Sequence, residues 1–572
     1  MSSNAKADLV ITGRIATLGG HDGFGWQPGI AIHGGRVVAI GDRAALEPLV
    51  GPATERWRLG DDMSVMPGIT DAHLHLMTLV LAERQVDLTG ANLDAALQMI
   101  GTRHRAMAAA GDTDGWLLGH GWSLQSLGGW PDSAVLESVA AGRPIALYSH
   151  DHHTRWVSRP ALELAAIAAA ADPAGGLIRR DPAGQPTGIL HEVASALVDP
   201  AIPSPSPDEL VAALGRVSAV LHGLGLTGCH DPGELTSNSD IERGPVFYRA
   251  TAASGRLPLR VHSSVRAAQL ERAIELGLFS GQGVDADPNH DERSARLADR
   301  YRMGWLKLFA DGSLGSRSAA LLAPYADASV NPPTGGPTGM VLTEASELAA
   351  LLRRAASAGI SGQVHAIGDA AVRTVLDVFA GTLTPTDEGV PHGRQLMPRI
   401  EHAQLVDPAD MARFGALGVA ASLQPVHLRS DAAMARVAWG DRSENTFPLR
   451  ALVDGGALIP MGTDAPVEPA DPWPGIAVAV ARRDPFDTSE RQTGTHHAIS
   501  LARALRAACL DPALVAGERD LGRLLPGYRA DLLVVPASAW NEPFAPADFA
   551  SLRPLATLLD GEVVHRSSGF GR

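Results

Sequence analysis

The middle of the chain alternates between short apolar runs of strand type and longer alanine-rich stretches of helical type. Strands that alternate with helices indicate a parallel sheet with helical crossovers, and at this length a closed barrel or a doubly wound sheet. The number of runs matches the eight strands that a barrel requires. They lie at 65–73 (VMPGITDAH), 226–231 (LTGCHD), 257–265 (LPLRVHSSV), 305–311 (WLKLFAD), 361–369 (SGQVHAIGD), 399–404 (RIEHAQ), 419–425 (VAASLQP) and 458–464 (LIPMGTD).

The gap between the first and second runs is far longer than one crossover helix. It contains a strand-like run of its own, PIALYS at 144–149, and several alanine-rich stretches. We predict that residues of about 77–215 form a large insertion after the first strand, folded over the mouth of a barrel.

The two ends of the chain have the same hairpin pattern. Runs at 7–17 and 29–42 contain the turn pair Gly34-Gly35, and the run at 555–566 turns at Asp560-Gly561. Neither end has enough apolar surface for a core of its own. We predict that residues 1–64 and 520–572 form one small composite β-sandwich domain around a barrel domain of residues 65–519. Two separate β-appendages are the alternative.

Composition and charge exclude several classes of protein. The net charge is −15, from 48 basic and 63 acidic residues, and no basic run is present, which argues against a nucleic-acid surface. The two cysteines, Cys229 and Cys509, form no CxxC-type pair, which fits a reducing cytoplasm. No signal peptide and no run of 18 apolar residues is visible. We predict a soluble cytoplasmic protein with a small-molecule substrate and no membrane partner, and leave a homodimer open.

His73 and His75 stand one residue apart at the end of the first run. Side chains on an extended segment alternate between faces, so both rings point the same way and make half of a site for zinc, iron, nickel or copper. Two ordinary histidines are the alternative. In parallel barrels, however, catalytic residues from several strands meet at the carboxyl ends. Later runs supply further residues that bind metal or move a proton: Lys307, His365, His402 and Asp464.

At these residues the chain resembles the amidohydrolase superfamily of metal-dependent hydrolases. Within it, the chain is similar to the YtcJ-like branch, amidohydrolase family 3, which includes N-substituted formamide deformylase. The resemblance covers nearly the whole chain, and KLFADGSLGSR and HAIGD are specific to the branch. The segments that carry it are PGITDAHLHL (67–76), KLFADGSLGSR (307–317), QVHAIGDAA (363–371), RIEHAQ (399–404), ASLQPVH (421–427), MGTDAPVEP (461–469) and, in the terminal domain, GYRADLLVV (527–535).

The resemblance implies an α/β fold, a (β/α)8 TIM barrel that holds one or two divalent metal ions, most often zinc. The residues that match the family's metal-site positions are His73, His75, Lys307, His365, His402 and Asp464. A lysine ammonium has no lone pair for a cation. We therefore hypothesise that Lys307 reacts with carbon dioxide and bridges two metals as a carbamate. Asp464 would bind metal and carry a proton from the bridging water to the departing amine.

Further residues are candidates for proton donation and for substrate binding. His153, in SHDHHTRWVS, matches a branch motif that usually has glycine where His152 stands, and is a second catalytic candidate that donates to the substrate carbonyl. A structural histidine is the alternative there. Candidate substrate-binding residues are Trp122, Asp311, Arg317, Gln424 and His427. For Trp122 the alternative is core packing, and for Asp311 and Arg317 it is support of the loop 312–340.

The function predicted is metal-dependent hydrolysis of a C–N bond in an amide, N-formyl, cyclic amide or carbamate substrate. A deaminase of a heterocycle is one alternative, although such enzymes commonly carry a glutamate three residues after the fifth-strand histidine, where this chain has Gly368. Esterase or lactonase activity on the same metal site is a second alternative. A non-catalytic metal-binding scaffold is a third, which the full set of ligands argues against.

Overall fold

A computed structural model describes residues 6–20, 23–149, 154–167, 170–173, 176–235, 240–285, 291–329, 333, 335–382, 396–487, 489, 491–540 and 542–570. The chain divides into two compact units, one of residues 1–78 with 215–572 and one of residues 79–214. No helix among the described residues is both long and apolar enough to cross a membrane.

Strands occur in both units. In chain order they are β1 (Leu9–Ala16), β2 (Trp26–His33), β3 (Arg36–Ile40), β4 (Glu55–Arg58), β5 (Met63–Pro67), β6 (Ile69–Asp71), β7 (Val86–Asp87), β8 (Leu117–Trp122), β9 (Ile145–Ser149), β10 (Thr154–Val157), β11 (Gly176–Arg180), β12 (Pro186–Glu192), β13 (Leu226–Asp231), β14 (Arg260–Arg266), β15 (Tyr301–Phe309), β16 (Gly362–Ala366), β17 (Arg399–His402), β18 (Ala420–Ser422), β19 (Leu532–Pro536), β20 (Ala556–Leu559) and β21 (Glu562–Arg566).

Helices lie between the strands. In chain order they are α1 (Arg43–Leu46), α2 (Leu76–Glu83), α3 (Leu93–Ala109), α4 (Leu124–Leu127), α5 (Ser133–Ala140), α6 (Arg159–Leu164), α7 (Pro207–Gly223), α8 (Phe247–Ala253), α9 (Leu270–Glu275), α10 (Glu292–Ala298), α11 (Ala345–Ser357), α12 (Asp369–Thr382), α13 (Pro408–Leu417), α14 (Leu428–Trp439), α15 (Leu449–Asp454), α16 (Pro472–Ala481), α17 (Leu501–Val515) and α18 (Pro546–Ala550).

Strands from both ends of the chain join one mixed sheet in the order β21-β20-β19-β5-β1-β2-β3, with β4 also paired to β1. Strand β5 lies at its centre, parallel to β1 and antiparallel to β19. Gly34 and Gly35 turn the chain between β2 and β3 with φ of +57° and +76°, a conformation that favours glycine. Buried side chains from both ends, such as Ile11 and Leu558, share one core. The sandwich form of this domain stays a prediction.

A buried group of charges connects the terminal sheet to the parallel sheet of the same unit. Arg260, at the start of β14, donates from Nε to Asp531 Oδ2 at 2.6 Å and also contacts Asp560, in the turn before β21. Arg300 donates from Nε to the second oxygen of Asp560 at 3.0 Å. All four side chains are buried. Because each charge has a partner, the cost of removing it from water is offset.

Replacing Arg260 with Met is expected to lower the free energy of unfolding by about 3–5 kcal/mol, because it leaves two buried carboxylates short of a cation. Chemical unfolding followed by circular dichroism measures the change. Arg293→Met is the matched control, since Arg293 pairs with Glu562 on the surface. This substitution should leave the free energy of unfolding unchanged within error. Equal effects of the two substitutions would contradict this role of Arg260.

The parallel sheet has the order β6-β13-β14-β15-β16-β17-β18, which fits a TIM-like core. The prediction of one strand at 65–73 is wrong, because residues 63–67 belong to the terminal sheet and only 69–71 to this one. Gly68 stands at the division, where its N–H donates to Asp531 O and a side chain would collide with Thr227. A single residue outside both strands, Gly68, thus separates β5 of one sheet from β6 of the other.

The eighth predicted run, 458–464, forms no regular strand. Its backbone is nevertheless hydrogen-bonded to both edges of the parallel sheet. Gly462 N–H donates to Leu423 O beside β18, and Ala72 N–H after β6 donates to Met461 O, each at 3.0 Å. Pro460 has no N–H to donate, which explains why a continuous ladder is absent.

The second unit has its own sheet, in the order β11-β12-β10-β9-β8-β7. The predicted insertion of residues 77–215 falls on this unit, and its place over a barrel mouth stays a prediction. Trp122, expected at a substrate wall, lies in the core of the unit with 1% of its surface exposed. Its indole N–H donates to Leu147 O at 2.9 Å. The structure therefore assigns Trp122 to packing, the commoner role of a buried tryptophan.

Candidate metal centre

One cavity of about 560 Å³ collects every residue for which the sequence predicts a metal-binding role. Strands β6, β15, β16 and β17 deliver five of these residues at or just beyond their carboxyl ends, since parallel strands end at the same edge of a sheet, and segment 458–464 delivers Asp464. The residues are His73, His75, Lys307, His365, His402 and Asp464.

Asp464 is the centre of this group. Its Oδ1 lies 3.3 Å from Nε2 of both His73 and His75, and its Oδ2 lies 3.3 Å from Nε2 of His427. Burial opposes the ionised form, but the nearby histidines hold the pKa of Asp464 well below its ordinary value. The backbone of Asp464 has φ +63° and its N–H donates to His73 O at 2.7 Å, which fixes the carboxylate beside the first histidine pair.

His73 faces Asp464 with a lone pair. Its Nδ1 contacts Glu401, whose carboxyl pKa is held well below the ordinary range by Arg399 against the effect of burial, so Glu401 only accepts. Burial lowers the pKa of His73 to about 4, so the ring is neutral and its one proton is on Nδ1. Its Nε2 is therefore an unprotonated acceptor 3.3 Å from an ionised carboxylate oxygen.

His75 repeats this arrangement. Its Nδ1 donates to Gly233 O at 2.5 Å, and its Nε2 again lies 3.3 Å from Asp464 Oδ1. Acceptors that face one another repel unless a cation lies among them. A ligand atom each from His73, His75 and Asp464 lie within 4.8 Å of one another, as do ligand atoms from His402, His427 and Asp464. Imidazole and carboxylate are donors that zinc accepts, so His73, His75 and Asp464 fit a divalent metal.

Lys307, His365 and His402 form the other wall of the cavity. Burial lowers the pKa of the Lys307 ammonium to about 7, and its Nζ lies 5.0 Å from the centroid of Phe309. His365 donates from Nε2 to Gly312 O at 3.1 Å, which leaves the Nδ1 lone pair available. The rings of His365 and His402 are 4.6 Å apart between centroids. Two more imidazoles and an amine thus converge opposite Asp464.

Comparison with known proteins identifies the family of the chain. The sequence profile of the amidohydrolase family matches residues 61–565. The chain belongs to the amidohydrolase family. It is 30% identical over 549 residues to YtcJ of Bacillus subtilis (strain 168), covering 94% of this chain and 96% of that protein. It is 25% identical over 560 residues to N-substituted formamide deformylase of Arthrobacter pascens, covering 94% of this chain and 95% of that one.

A solved structure supports the same assignment. An uncharacterized metal-dependent hydrolase from Pyrococcus horikoshii OT3 matches with a TM-score of 0.71 and 25% identity, covering 97% of this chain and 100% of that one. The two sequence relatives confirm the resemblance to the YtcJ-like branch. The family match and the archaeal structure together support a metal-dependent hydrolase.

Other residues predicted for the site of this amidohydrolase lie outside the cavity. Asp311 is fully buried and accepts the backbone N–H groups of Ile367, Gly368 and Ala320, so it supports the loop that follows β15. Arg317 pairs with Asp327 in the same loop. These contacts match the loop-supporting alternative. Their assignment to substrate binding has no contact in its favour.

Two further predictions concern the substrate pocket. Gln424 is buried and donates to Ser422 O at 3.3 Å, away from the cavity. His427 does line the cavity, where it contacts Asp464 and, through Nδ1 at 3.6 Å, Glu468. Burial opposes the charge on His427, but these two carboxylates raise its pKa to about 9. His153 lies outside the described residues.

The sequence analysis of the amidohydrolase missed the residues that hold the first histidine pair. Arg399 and Glu401 are both fully buried, and Arg399 also donates to Ala72 O at 2.5 Å and to Ser422 Oγ at 2.7 Å. Asp71 accepts the N–H of His73 and the hydroxyl of Thr463, which ties the first strand end to the eighth segment. One signal was available in the sequence. Arg399 and Glu401 carry opposite charges two positions apart in a strand, so both lie on the same face of β17.

Stability of the metal-free amidohydrolase should depend on pH. Burial lowers the pKa of His73 to about 4 and of His365 to about 3 from an ordinary value of 6.5. Below about pH 6.5 the unfolded chain therefore binds more protons than the folded one. The free energy of unfolding decreases as the pH is lowered. We expect full stability above about pH 6.5 and progressive loss between about pH 6.5 and 4, measured by urea unfolding at each pH. His365→Gln should reduce the slope, and a flat profile from pH 6.5 to 5 would contradict the expectation.

Proposed function

We propose that this amidohydrolase is a metal-dependent enzyme that hydrolyses a C–N bond in an amide, N-formyl, cyclic amide or carbamate substrate. One observation carries the proposal. The Nε2 atoms of His73 and His75 both face the same ionised oxygen of Asp464 inside a cavity of about 560 Å³, and the ring of His73 is neutral. That arrangement is favourable only with a cation among the three groups, and a cavity of this size holds a small molecule.

His73, His75 and Asp464 would hold one divalent ion, and we propose zinc. His365 and His402 would contribute to a second. A divalent metal bound at such donors lowers the pKa of water and polarises a carbonyl group. In the same proposal the seven-stranded parallel sheet and segment 458–464 make up the eight positions of a (β/α)8 barrel.

Asp464 is the acid–base residue of the proposed reaction. It is ionised at neutral pH, so a carboxylate oxygen can accept a proton from the attacking water and return it to the departing nitrogen. His427 is protonated at this pH and contacts Asp464 Oδ2 on one side and Glu468 on the other. It therefore orients the carboxylate and holds it in its ionised form.

Lys307 is proposed to carry a carbamate. The chain has two lysines, Lys6 and Lys307, and its other long cationic side chains are arginines. An arginine stays charged, whereas a lysine amine that loses its proton is a nucleophile. The neutral Nζ forms an N–C bond to carbon dioxide, one C=O electron pair moves to oxygen, and a proton leaves nitrogen. Burial favours the neutral amine that this step requires.

Metal analysis combined with a substrate screen tests the proposal. We expect one or two equivalents of zinc in the purified protein, hydrolysis of at least one member of a panel of N-formyl, N-acyl, cyclic amide and carbamate compounds, and loss of activity on chelation that added zinc restores. Matched esters belong in the panel. Cleavage of esters alone, or amide hydrolysis that persists without metal, would overturn the proposed function.

A further inference from the structure

Arg266 occupies a position beside the candidate centre that the proposed reaction does not use. It is the last residue of β14, and its Cα pairs with that of Lys307 on β15. Its side chain lines the metal-site cavity and also an adjoining cavity of about 380 Å³. Four residues border both spaces: Leu235, Arg266, Lys307 and Phe309.

The guanidinium of Arg266 has donors to spare. One Nη donates to the backbone oxygen of Glu234, and Nε has no hydrogen-bond partner within the described part of the chain. The carboxylate of Glu234 pairs with Arg243 instead, at 2.9 Å. Across the described residues, Arg266 forms no ion pair with a carboxylate. Because a guanidinium has five N–H donors, most of its hydrogen-bonding capacity is unused.

Acidic side chains of the cavity are engaged elsewhere. Asp464 contacts the histidines, Glu468 accepts from Ser430 Oγ at 2.9 Å, and Asp431 accepts from Gln404 Nε2 at 2.7 Å. Asp231 and Glu234 stabilise the positive charge of Arg266 from a distance, but no carboxylate of the cavity is in direct contact with the guanidinium. Such a charge is costly unless an anion neutralises it.

Distances place this charge within reach of a small substrate. The guanidinium carbon of Arg266 lies 4.9 Å from the centroid of the Phe309 ring, and Lys307 Nζ lies 5.0 Å from the same centroid. The two cationic groups are therefore at most about 10 Å apart, which one small molecule can span. The adjoining cavity leaves room for the remainder of such a molecule.

The geometry points to Arg266 as the binding site for a carboxylate of the substrate. A carboxylate is planar, carries one charge and matches two parallel N–H donors of one guanidinium. The favoured substrates are then amides with a carboxylate close to the scissile C–N bond, as in N-acyl and N-formyl amino acids. This inference rests on the proposed C–N hydrolysis and adds its substrate class.

The test compares matched substrate pairs. N-formyl and N-acetyl derivatives of leucine and phenylalanine are assayed against the same derivatives of 3-methylbutylamine and phenethylamine, which lack only the carboxylate. We expect wild-type kcat/KM to favour the carboxylated members about 10- to 100-fold, the range for a charge-assisted hydrogen bond. Arg266→Met should abolish that preference. Arg266→Gln keeps a donor for Glu234 O but no charge, and should abolish it as well.

Arg272→Met is the matched control, because Arg272 is half-exposed on α9 and pairs with surface carboxylates. It should keep the wild-type preference. Calorimetric binding of N-acetyl-leucine to Asp464→Asn, with and without Arg266→Met, separates binding from turnover. Binding that requires Arg266 without hydrolysis of any amide would support the carboxylate site and refute the proposed function. Cleavage of the neutral amides with no carboxylate preference, or no binding of N-acetyl-leucine, would overturn the carboxylate site.

Discussion

Replacing Asp464 with Asn is expected to reduce kcat/KM by at least about a hundredfold in a protein that stays folded. The amide is nearly the same size as the carboxylate, so it fits the same buried space. It cannot accept a proton from water at neutral pH, and it presents an N–H₂ donor or a neutral oxygen to the histidines that now face an ionised oxygen. The substitution should therefore lower both the rate of the chemical step and the affinity for metal.

Measuring metal content beside the rate separates these two effects. Asp377→Asn provides the matched control, since Asp377 is exposed, pairs with Arg413 and does not line the cavity. It should retain the wild-type rate. A near-normal rate in fully metallated Asp464→Asn protein would remove this residue from the mechanism and transfer the proton to another group.

Replacing Lys307 with Ala should reduce activity by roughly a hundredfold or more, comparable with the loss of a positioned catalytic group. Metal affinity should fall at least about tenfold, because a donor is lost from the wall that holds His365 and His402. Lys307→Arg should be as inactive as Lys307→Ala, since arginine keeps the charge but forms no carbamate. Acetate or propionate should restore part of the alanine variant's rate by supplying two carboxylate oxygens.

Because the chain has only two lysines, a carbamate signal can be assigned to one side chain. Protein grown with labelled lysine has two labelled side chains, and Lys6→Arg leaves Lys307 as the sole signal. We expect labelled bicarbonate to produce a carbamate carbon resonance in Lys6→Arg and none in Lys307→Arg. An active Lys307→Arg enzyme, or wild-type metal content and rate in Lys307→Ala, would refute the carbamate.

Local periodicity explains why the positions of the site residues could be predicted. Alternation of side chains places His73 and His75 on one face, and strand ends in a parallel sheet share an edge. Those two rules bring Lys307, His365 and His402 to one cavity without knowledge of any contact. The apolar run at 226–231 separately predicts strand β13, where the structure has it.

Contacts between distant segments could not be predicted in the same way. Glu401 meets the ring of His73 across 328 positions of sequence, and nothing in either run specifies the partner. The division of 65–73 at Gly68 depends on Thr227 and Asp531, which approach only in the folded chain. Trp122 was ambiguous because burial, not residue type, separates a core tryptophan from a binding wall.

The place of β5 at the centre of the terminal sheet has a consequence for synthesis on the ribosome. One neighbour of β5, strand β1, is made before it, but the other, β19, is made only after all strands of the parallel sheet. At roughly 5–20 residues per second the open edge of β5 waits on the order of half a minute to a minute and a half. During that time the backbone leading to His73 and His75 is braced on one side alone. We therefore expect nascent chains to need protection from aggregation along this edge, and metal to be acquired only after β19 has paired with β5.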